Sequence, residues 1–280
     1  MLDQKVRVHS VRDLGARNFL LTLRSPEQAR LTQPGQFVMV KCSVDINQDP
    51  LLRRPFTVFD VHPHPRTGRP TALDLLVKEV GLGTRKLSRM RAGEEVAVLG
   101  PQGRPFQLAP EMRHKARFGC LVAGGVGIAA LLLVARRLLA LEVAPVLFYG
   151  GRTAADLVLR EHFEALGIET AYTTEDGSLG ARGMVTAPLE RFLRRHSRQG
   201  GLRIYACGPW GMMRAVDSLA REFKIPCEVS LEARMGCSLG ACMGCVVRSR
   251  DDSGEEQFLR VCQEGPIMDS TIVDWETPPL

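Results

Sequence analysis

The chain has 280 residues, 45% hydrophobic and 24% charged, with a formal charge of +6. Its length exceeds one typical domain and points to two, or two with a small extra module, and the composition is that of a globular protein with ample core. The arginine pairs Arg53-Arg54, Arg136-Arg137 and Arg194-Arg195 are scattered and aromatics make up only 6%, which argues against a nucleic-acid surface and leaves anionic cofactors to account for the mild positive balance. The first residues, MLDQKVRVHSV, lack the apolar stretch of a signal peptide. The longest apolar run, Val126 to Ala135, stops at Arg136-Arg137, short of the roughly twenty residues of a membrane span. These features and a cluster of thiols place the expected protein in the cytoplasm, away from membranes.

Residues 1–110 read as short strands. Val6, Val8 and Val11 fall close to alternation, and Phe19, Leu21 and Leu23 alternate strictly. Phe37–Val40, Phe56–Phe59, Leu73–Val77 and Val96–Leu99 follow, divided by turn signals such as Ser25-Pro26, Pro34-Gly35, Ala92-Gly93 and Gly100-Pro101. This pattern predicts an antiparallel β-barrel with one short helix from Thr84 to Met90. Two segments carry chemistry. In Arg53-Arg54-Pro55-Phe56-Thr57 an arginine at a strand start suits a bidentate grip on phosphate, and a hydroxyl three residues on can reach a polar ring edge. Lys78 to Thr84 is a strand end followed by Gly81, Gly83 and a threonine at a helix start, a pattern for anion binding by backbone N–H groups. Alone, each motif is more often a surface turn or a loop.

From residue 111 to 226 apolar strands alternate with helical segments. Cys120–Ala123, Val143–Tyr149, Ile168–Thr173, Leu202–Cys207 and Cys227–Leu231 are the expected strands. Helices are expected over 128–141, after Thr153 through Leu157, Phe163 and Leu166, over 188–195 and over 211–223. The alternation means a doubly wound parallel sheet, whose ligands lie beyond the carboxyl ends of its strands. Three glycine-bearing strand ends fall there: Gly124-Gly125-Val126-Gly127, Gly150-Gly151-Arg152 and Cys207-Gly208-Pro209. The acid expected at the end of the second strand is absent, and Arg152 is a candidate for a 2′-phosphate. The alternative is that these glycines only permit tight turns and that Cys207 is an inert core thiol.

Residues 227–280 hold four of the eight cysteines. Cys237, Cys242 and Cys245 are spaced C-x4-C-x2-C, and Cys262 follows after sixteen intervening residues. That is the plant-type spacing for a [2Fe-2S] cluster, in which four thiolates hold two irons. Gly236, Gly240 and Gly244 alternate with the thiols and let backbone amides turn towards sulfur. A structural zinc site also takes four thiolates, but usually from two C-x-x-C hooks, and only one is present. A disulfide would suit a secreted chain. No catalytic acid/base pair or covalent nucleophile stands out: the six histidines are scattered.

The combination of R-P-x-T, G-x-G-T, GG-x-G, Cys-Gly-Pro and C-x4-C-x2-C…C resembles the ferredoxin-reductase superfamily over nearly the whole chain. Within it, SLEARMGCSLGACMGC and RVCQEGPIMD are similar to the electron-transfer subunits of the dihydroorotate dehydrogenase B family. The resemblance implies a multidomain β plus α/β chain: an FAD-binding β-barrel over 1–110, a parallel NAD-binding domain over 111–226 and a [2Fe-2S] module over 227–280. It implies that Arg54, Pro55, Phe56 and Thr57 meet the FAD phosphate and flavin ring, with Thr57 standing where the family has serine. Leu76, Val77 and Lys78 would line the flavin, and Gly83 and Thr84 would hold its pyrophosphate. Gly124, Gly125, Gly127, Cys207, Gly208 and Pro209 would meet NAD, and Cys237, Cys242, Cys245 and Cys262 would ligate the cluster. The implied partner is an FMN-carrying catalytic subunit that oxidises dihydroorotate to orotate in pyrimidine biosynthesis, in a heterotetramer of two of each. Two other readings stay open: a related NAD(P)H:ferredoxin or sulfhydrogenase-type reductase subunit, and a nucleotide sensor whose C-terminus is knit by zinc.

Overall fold

The computed structural model describes residues 1–43, 49–111, 116–250 and 253–279. Six strands close an antiparallel barrel: β1 (Leu2–Gly15), β2 (Asn18–Arg24), β3 (Phe37–Val40), β4 (Arg54–Pro63), β5 (Pro70–Lys78) and β6 (Glu95–Gln102), in the order β1-β2-β5-β4-β3-β6. Closure removes the exposed sheet edges that a lone hairpin would leave. The interior is apolar: Val6, Val8, Leu21, Leu23, Val38, Val40, Val58, Leu73, Leu75 and Val98 form one buried cluster. The short helix α1 (Pro26–Leu31), not expected from Ser25-Pro26, starts with proline in its first turn, where the missing N–H costs nothing. It carries the fully buried Gln28, whose Nε2 donates to the carbonyls of Val98 (3.0 Å) and Gly100 (3.3 Å), so a polar side chain satisfies carbonyls of β6.

The second sheet is formed by β7 (Phe118–Gly124), β8 (Ala144–Gly151), β9 (Glu169–Thr174), β10 (Ala181–Arg182), β11 (Leu202–Cys207) and β12 (Cys227–Ser230), in the order β10-β9-β8-β7-β11-β12 and all parallel. The order reverses between β7 and β11, which is the switch point of a doubly wound sheet. The helical segments are shorter than their apolar pattern suggests. Residues Gly125–Ala130 form a 3-10 turn before α3 (Leu132–Ala140). After Thr153 there is only a 3-10 turn over Ala154–Asp156 and one short helix, α4 (Arg160–Glu164). Leu157, Val158 and Leu159 are all buried, and the helical periodicity is broken where Leu159 takes φ +59°.

 Consecutive apolar residues that all face inward need an irregular backbone, because a helix would turn one of them to solvent. The remaining helices, α5 (Thr186–His196) and α6 (Trp210–Phe223), cover the sheet near where the sequence places them.

The barrel and the sheet share a core. Leu20, Phe59 and Leu76 of the barrel are buried in one cluster with Leu121, Ile128, Leu131, Leu132 and Tyr149. The C-terminal segment is stitched to both. Its hairpin β13 (Val246–Arg250) and β14 (Glu256–Arg260) is followed by β15 (Ile267–Asp269), which adds antiparallel to β12 and extends the seven-stranded sheet. Gly103, at φ +81°, lies so close to Pro266 that a Cβ there would come within 2.3 Å of its ring. Among the described residues no helix is long and apolar enough to cross a membrane.

A polar network marks the barrel's outer wall. Asp74, 1% exposed, accepts the Thr22 hydroxyl at 2.6 Å and pairs with His62 Nε2 at 2.7 Å. The hydrogen bond to Asp74 raises the His62 pKa above its usual 6.5, against the opposing effect of burial. A raised folded-state value means that the pair's contribution to stability is fully present below pH 6.5 and lost as pH rises through the folded value. Thermal unfolding of wild type and His62→Gln between pH 5.5 and 8.5 should therefore show the largest gap at the acidic end, closing as pH rises; a pH-independent gap would contradict the assignment.

Candidate functional site

Three groups of residues lie around the junction of barrel, sheet and C-terminal segment. The first is on the barrel. Arg54, Pro55, Phe56 and Thr57 begin β4, and Leu76, Val77 and Lys78 end the neighbouring β5; the two strands pair from Val58↔Leu75 onward. The Arg54 guanidinium donates only to the carbonyls of Leu52 (2.8 Å) and Arg53 (3.2 Å) and has no acid partner among the described residues. The Thr57 hydroxyl is half-buried with no hydrogen-bond partner among them. Both are therefore available to a ligand. Leu51, Leu52, Val80 and Leu82 are exposed nearby, and Pro50 packs on Gly83, so these apolar residues border one area. Exposed apolar residues beside a guanidinium with no acid partner among the described residues suit a cofactor with an aromatic ring and phosphates.

Gly83 and Thr84 do different work from the rest. The Thr84 hydroxyl accepts the N–H groups of Val80 (2.9 Å) and Gly81 (3.1 Å) and donates to the Gly81 carbonyl (3.1 Å), so it is engaged in capping α2 (Leu82–Ser88). A Cβ at Gly83 would sit 3.2 Å from both Cys42 Sγ and Pro50 Cγ. These two residues shape the turn from within.

The second group is a cleft of about 550 Å³ at the carboxyl ends of the parallel strands, within the usual range for small-ligand sites. Gly124, Gly125, Gly127, Gly208 and Pro209 line it, as the strand-end pattern implies. The glycines have separate reasons. A Cβ on Gly127 would lie 2.2 Å from the Cys207 carbonyl oxygen, and one on Gly208 would lie 2.9 Å from the Gly124 nitrogen, so these positions let β7 and β11 come together. Gly125 instead has φ +52° and open space on its Cβ side. Cys207 is buried, and burial pushes its thiol well above the ordinary range, as expected of an unreactive core thiol.

Several lining residues lie outside the glycine motifs. Lys78 reaches the cleft from the barrel, with its Nζ 3.6 Å from Asp156 Oδ1. Asp156 also accepts the Thr153 N–H at 3.2 Å, so the turn after β8 brings in the acid that the strand end lacks. Glu175 and Glu232 add further carboxylates, and Pro278 and Pro279 reach the cleft from the C-terminal end. That end is held by Trp210, whose ring lies 4.7 Å from Trp275 and whose Nε1–H donates to the Trp275 carbonyl at 3.0 Å. Contacts made across the fold leave no local pattern by which the sequence could signal them. Nor are the histidines wholly scattered: His9, His62, His64 and His162 line a groove on the barrel's outer wall.

The third group is the set of C-terminal thiols. Cys237 Sγ accepts backbone N–H groups from Leu239 (3.3 Å) and Cys242 (3.4 Å), which bring its pKa down to about 6. Cys245 and Cys262 are buried, and burial, followed by the neighbouring Cys245, raises Cys262 to about 11, partly offset by the Gly240 amide. Of the three loop glycines, only Gly240 takes a positive φ, +79°, and a Cβ there would come within 2.9 Å of Gln263. The Cys242 N–H bonds the Cys237 sulfur, and the Val261 N–H bonds the Cys245 carbonyl at 3.0 Å, which brings the strand before Cys262 against Cys245. Among the described residues no three His, Cys, Asp or Glu side chains converge as on a single metal ion. The four thiols keep the plant-type [2Fe-2S] spacing, with only one C-x-x-C hook of the kind a structural zinc site uses twice.

A reductase-like barrel, a switch-point cleft and a four-thiol segment in one chain define an electron-transfer protein of the ferredoxin-reductase fold. Residues 121–218 match the oxidoreductase NAD-binding domain, and residues 232–274 match the iron-sulfur cluster binding domain of dihydroorotate dehydrogenase B. The chain is 35% identical over 271 residues to the dihydroorotate dehydrogenase B (NAD(+)) electron transfer subunit of Desulforamulus reducens, covering 96% of this chain and 97% of that one. The corresponding subunit of Enterococcus faecalis is 34% identical, with 97% and 98% covered. The chain belongs to this family of electron transfer subunits. Among solved structures it is similar to an NADH-dependent reduced ferredoxin-NADP oxidoreductase, with a TM-score of 0.78, 29% identity and coverage of 97% of this chain and 90% of that one. Phthalate dioxygenase reductase shares the fold at a TM-score of 0.61 and 16% identity, over 93% of this chain and 77% of that one.

The contact at Gly127 yields a test. Gly127→Ala should lower stability by about 1–3 kcal/mol through overpacking against Cys207, read by urea unfolding. An unchanged midpoint would mean that the strands can separate there at no cost.

Proposed function

We propose that this chain accepts electrons from an FMN-bearing subunit that oxidises dihydroorotate to orotate, and delivers them to NAD. When bound, FAD can exchange a hydride with the nicotinamide and single electrons with a [2Fe-2S] cluster, which is why a flavin belongs between the two. The observation that carries the reading is a four-cysteine C-terminal segment in the same chain as a strand-end cleft lined from both barrel and sheet.

In this reading Cys237, Cys242, Cys245 and Cys262 would hold the [2Fe-2S] cluster. Amides already directed at Cys237 favour its thiolate and would tune the potential. Arg54 grips the FAD phosphate, Thr57 faces the flavin ring, and Pro55, Phe56, Leu76, Val77 and Lys78 form the wall beside it. Gly83 and Thr84 keep the turn shaped for the pyrophosphate. Gly124, Gly125, Gly127, Gly208 and Pro209 form the floor under NAD, and Cys207 lies buried behind them. The FAD, NAD and cluster regions correspond to 1–110, 111–226 and 227–280. Leu239 and Met243, 52% and 50% exposed, flank the exposed Cys242 and offer an apolar surface to the partner subunit. Two copies of each subunit would complete the assembly, in the reducing cytoplasm where thiols persist.

A second reading, as a subunit of an NAD(P)H:ferredoxin reductase, draws on the likeness to the ferredoxin-NADP oxidoreductase. Dihydroorotate-dependent NADH formation with the FMN subunit separates the two: its absence, with ferredoxin reduction retained, would favour the second.

The direct test is the visible spectrum of anaerobically purified protein before and after NADH. Flavin bands with a broad iron–sulfur shoulder, both bleaching, are expected; a colourless protein carrying zinc would sink the proposal and favour the sensor. Cys242→Ser should abolish the cluster's absorption and leave FAD bound. Loss of both would show that the two sites do not assemble independently.

A further inference from the structure

We propose that the ion pair between Arg136 and Asp60 is a positioning device for hydride transfer, setting the barrel's flavin-bearing strand against the nucleotide-binding turn. This rests on the reading of FAD on the barrel and NAD in the cleft. The guanidinium grips the carboxylate through both ends: Arg136 Nη1 donates to Asp60 Oδ1, and Nη2 to Oδ2 at 3.0 Å. The Asp60 side chain is only 5% exposed, and that of Arg136 41%. Asp60 lies on β4, three residues after Thr57, and its Oδ1 also accepts the Val61 N–H at 2.7 Å. Arg136 lies on α3, the helix that follows the Gly124–Gly127 turn. The pair thus joins the element that begins with Arg54–Thr57 to the element that leaves the NAD-binding glycines.

The other contacts across this seam cannot set its angle as well. Leu20, Phe59 and Leu76 against Ile128 and Leu132 are apolar contacts, which resist separation but have little directional preference, and the edge-on contact of Phe59 with His162 (5.2 Å between ring centres) is weaker than a charge-assisted two-point pair. The crossing pairs Arg12–Glu161 (3.9 Å) and Lys78–Asp156 (3.6 Å) are longer, and Arg12–Glu161 has both side chains more than half exposed. A planar guanidinium held through both nitrogens to a buried carboxylate fixes orientation as well as distance. Transfer between two bound rings is steep in their separation, and the elements that would hold them belong to different sheets, so a small rotation at the seam would move one relative to the other.

The test uses the full chain with its cofactors. Rapid mixing with NADH gives the limiting rate of flavin bleaching, and titration with NAD gives its affinity and any long-wavelength charge-transfer absorbance with the reduced flavin. Arg136→Met should lower the limiting rate ~10- to 100-fold and weaken the charge-transfer band, with FAD content and NAD affinity unchanged. Arg136→Lys, which keeps the charge but loses the two-point grip, should be slowed as well. Amide hydrogen exchange on the same proteins should rise in β4 and α3 and not in β1 or β6. If Arg136→Met fails to retain FAD, Arg136→Lys decides, and a wild-type rate in that variant overturns the proposal. Unchanged exchange at the seam overturns it whatever the rates. Wild-type protein that NADH does not bleach would instead refute the functional reading beneath it.

Discussion

The structure depends on one backbone contact, the approach of β11 to the turn that leaves β7. At Gly127 and Gly208 there is no room for a side chain, because carbonyl and amide groups of the opposite segment occupy that space. The contact brings two strand ends side by side where the sheet order reverses, and the cleft opens from that point. The same turn continues into Ile128 and α3, whose apolar residues seat the barrel. Loosening one glycine would therefore disturb the floor of the cleft and the seating of the barrel together.

The four buried thiols outside the C-terminal loop illustrate how environment divides one residue type into two uses. Burial raises Cys42 to about 11 and Cys227 to about 12, and pushes Cys120 and Cys207 upward as well. Such groups stay protonated and behave as small apolar side chains. Cys237 is the opposite case, lowered by amides in a loop that wraps it. Charge on sulfur is favoured only where the backbone has been bent to receive it.

Much of this was legible in the sequence where the cause is local. Strand alternation in residues 19–23, the strand-end glycines and the cysteine spacing each follow from a short-range requirement, and the barrel and parallel sheet appear where those patterns lie. The missed features arise from contacts between distant segments. Helix α1 reads as a turn because its six residues are too few to show a period. The stretch from Leu157 to Leu159 looks helical until all three side chains are seen to be buried at once. Lys78, Asp156, Glu232 and Pro278 meet at one cleft from four separate segments, and no spacing rule joins them. The thiol spacing announced a four-sulfur site, but the two amides that bond Cys237 Sγ are visible only in three dimensions.

The C-terminal segment leaves the sheet at β12 and returns to it at β15, immediately beside the strand it left. Between these anchors, Cys245, Val247, Val261 and Cys262 are buried in the same cluster as Val229 of the sheet and Phe37 and Met39 of the barrel. A segment clamped at both ends and sharing a core with its neighbours does not swing on a tether. The path for electrons is built as a fixed wire, in contrast to carriers that shuttle on a flexible linker and must wait for each docking encounter. Solvent viscosity should then matter little to transfer inside this subunit, and any diffusional step lies outside it.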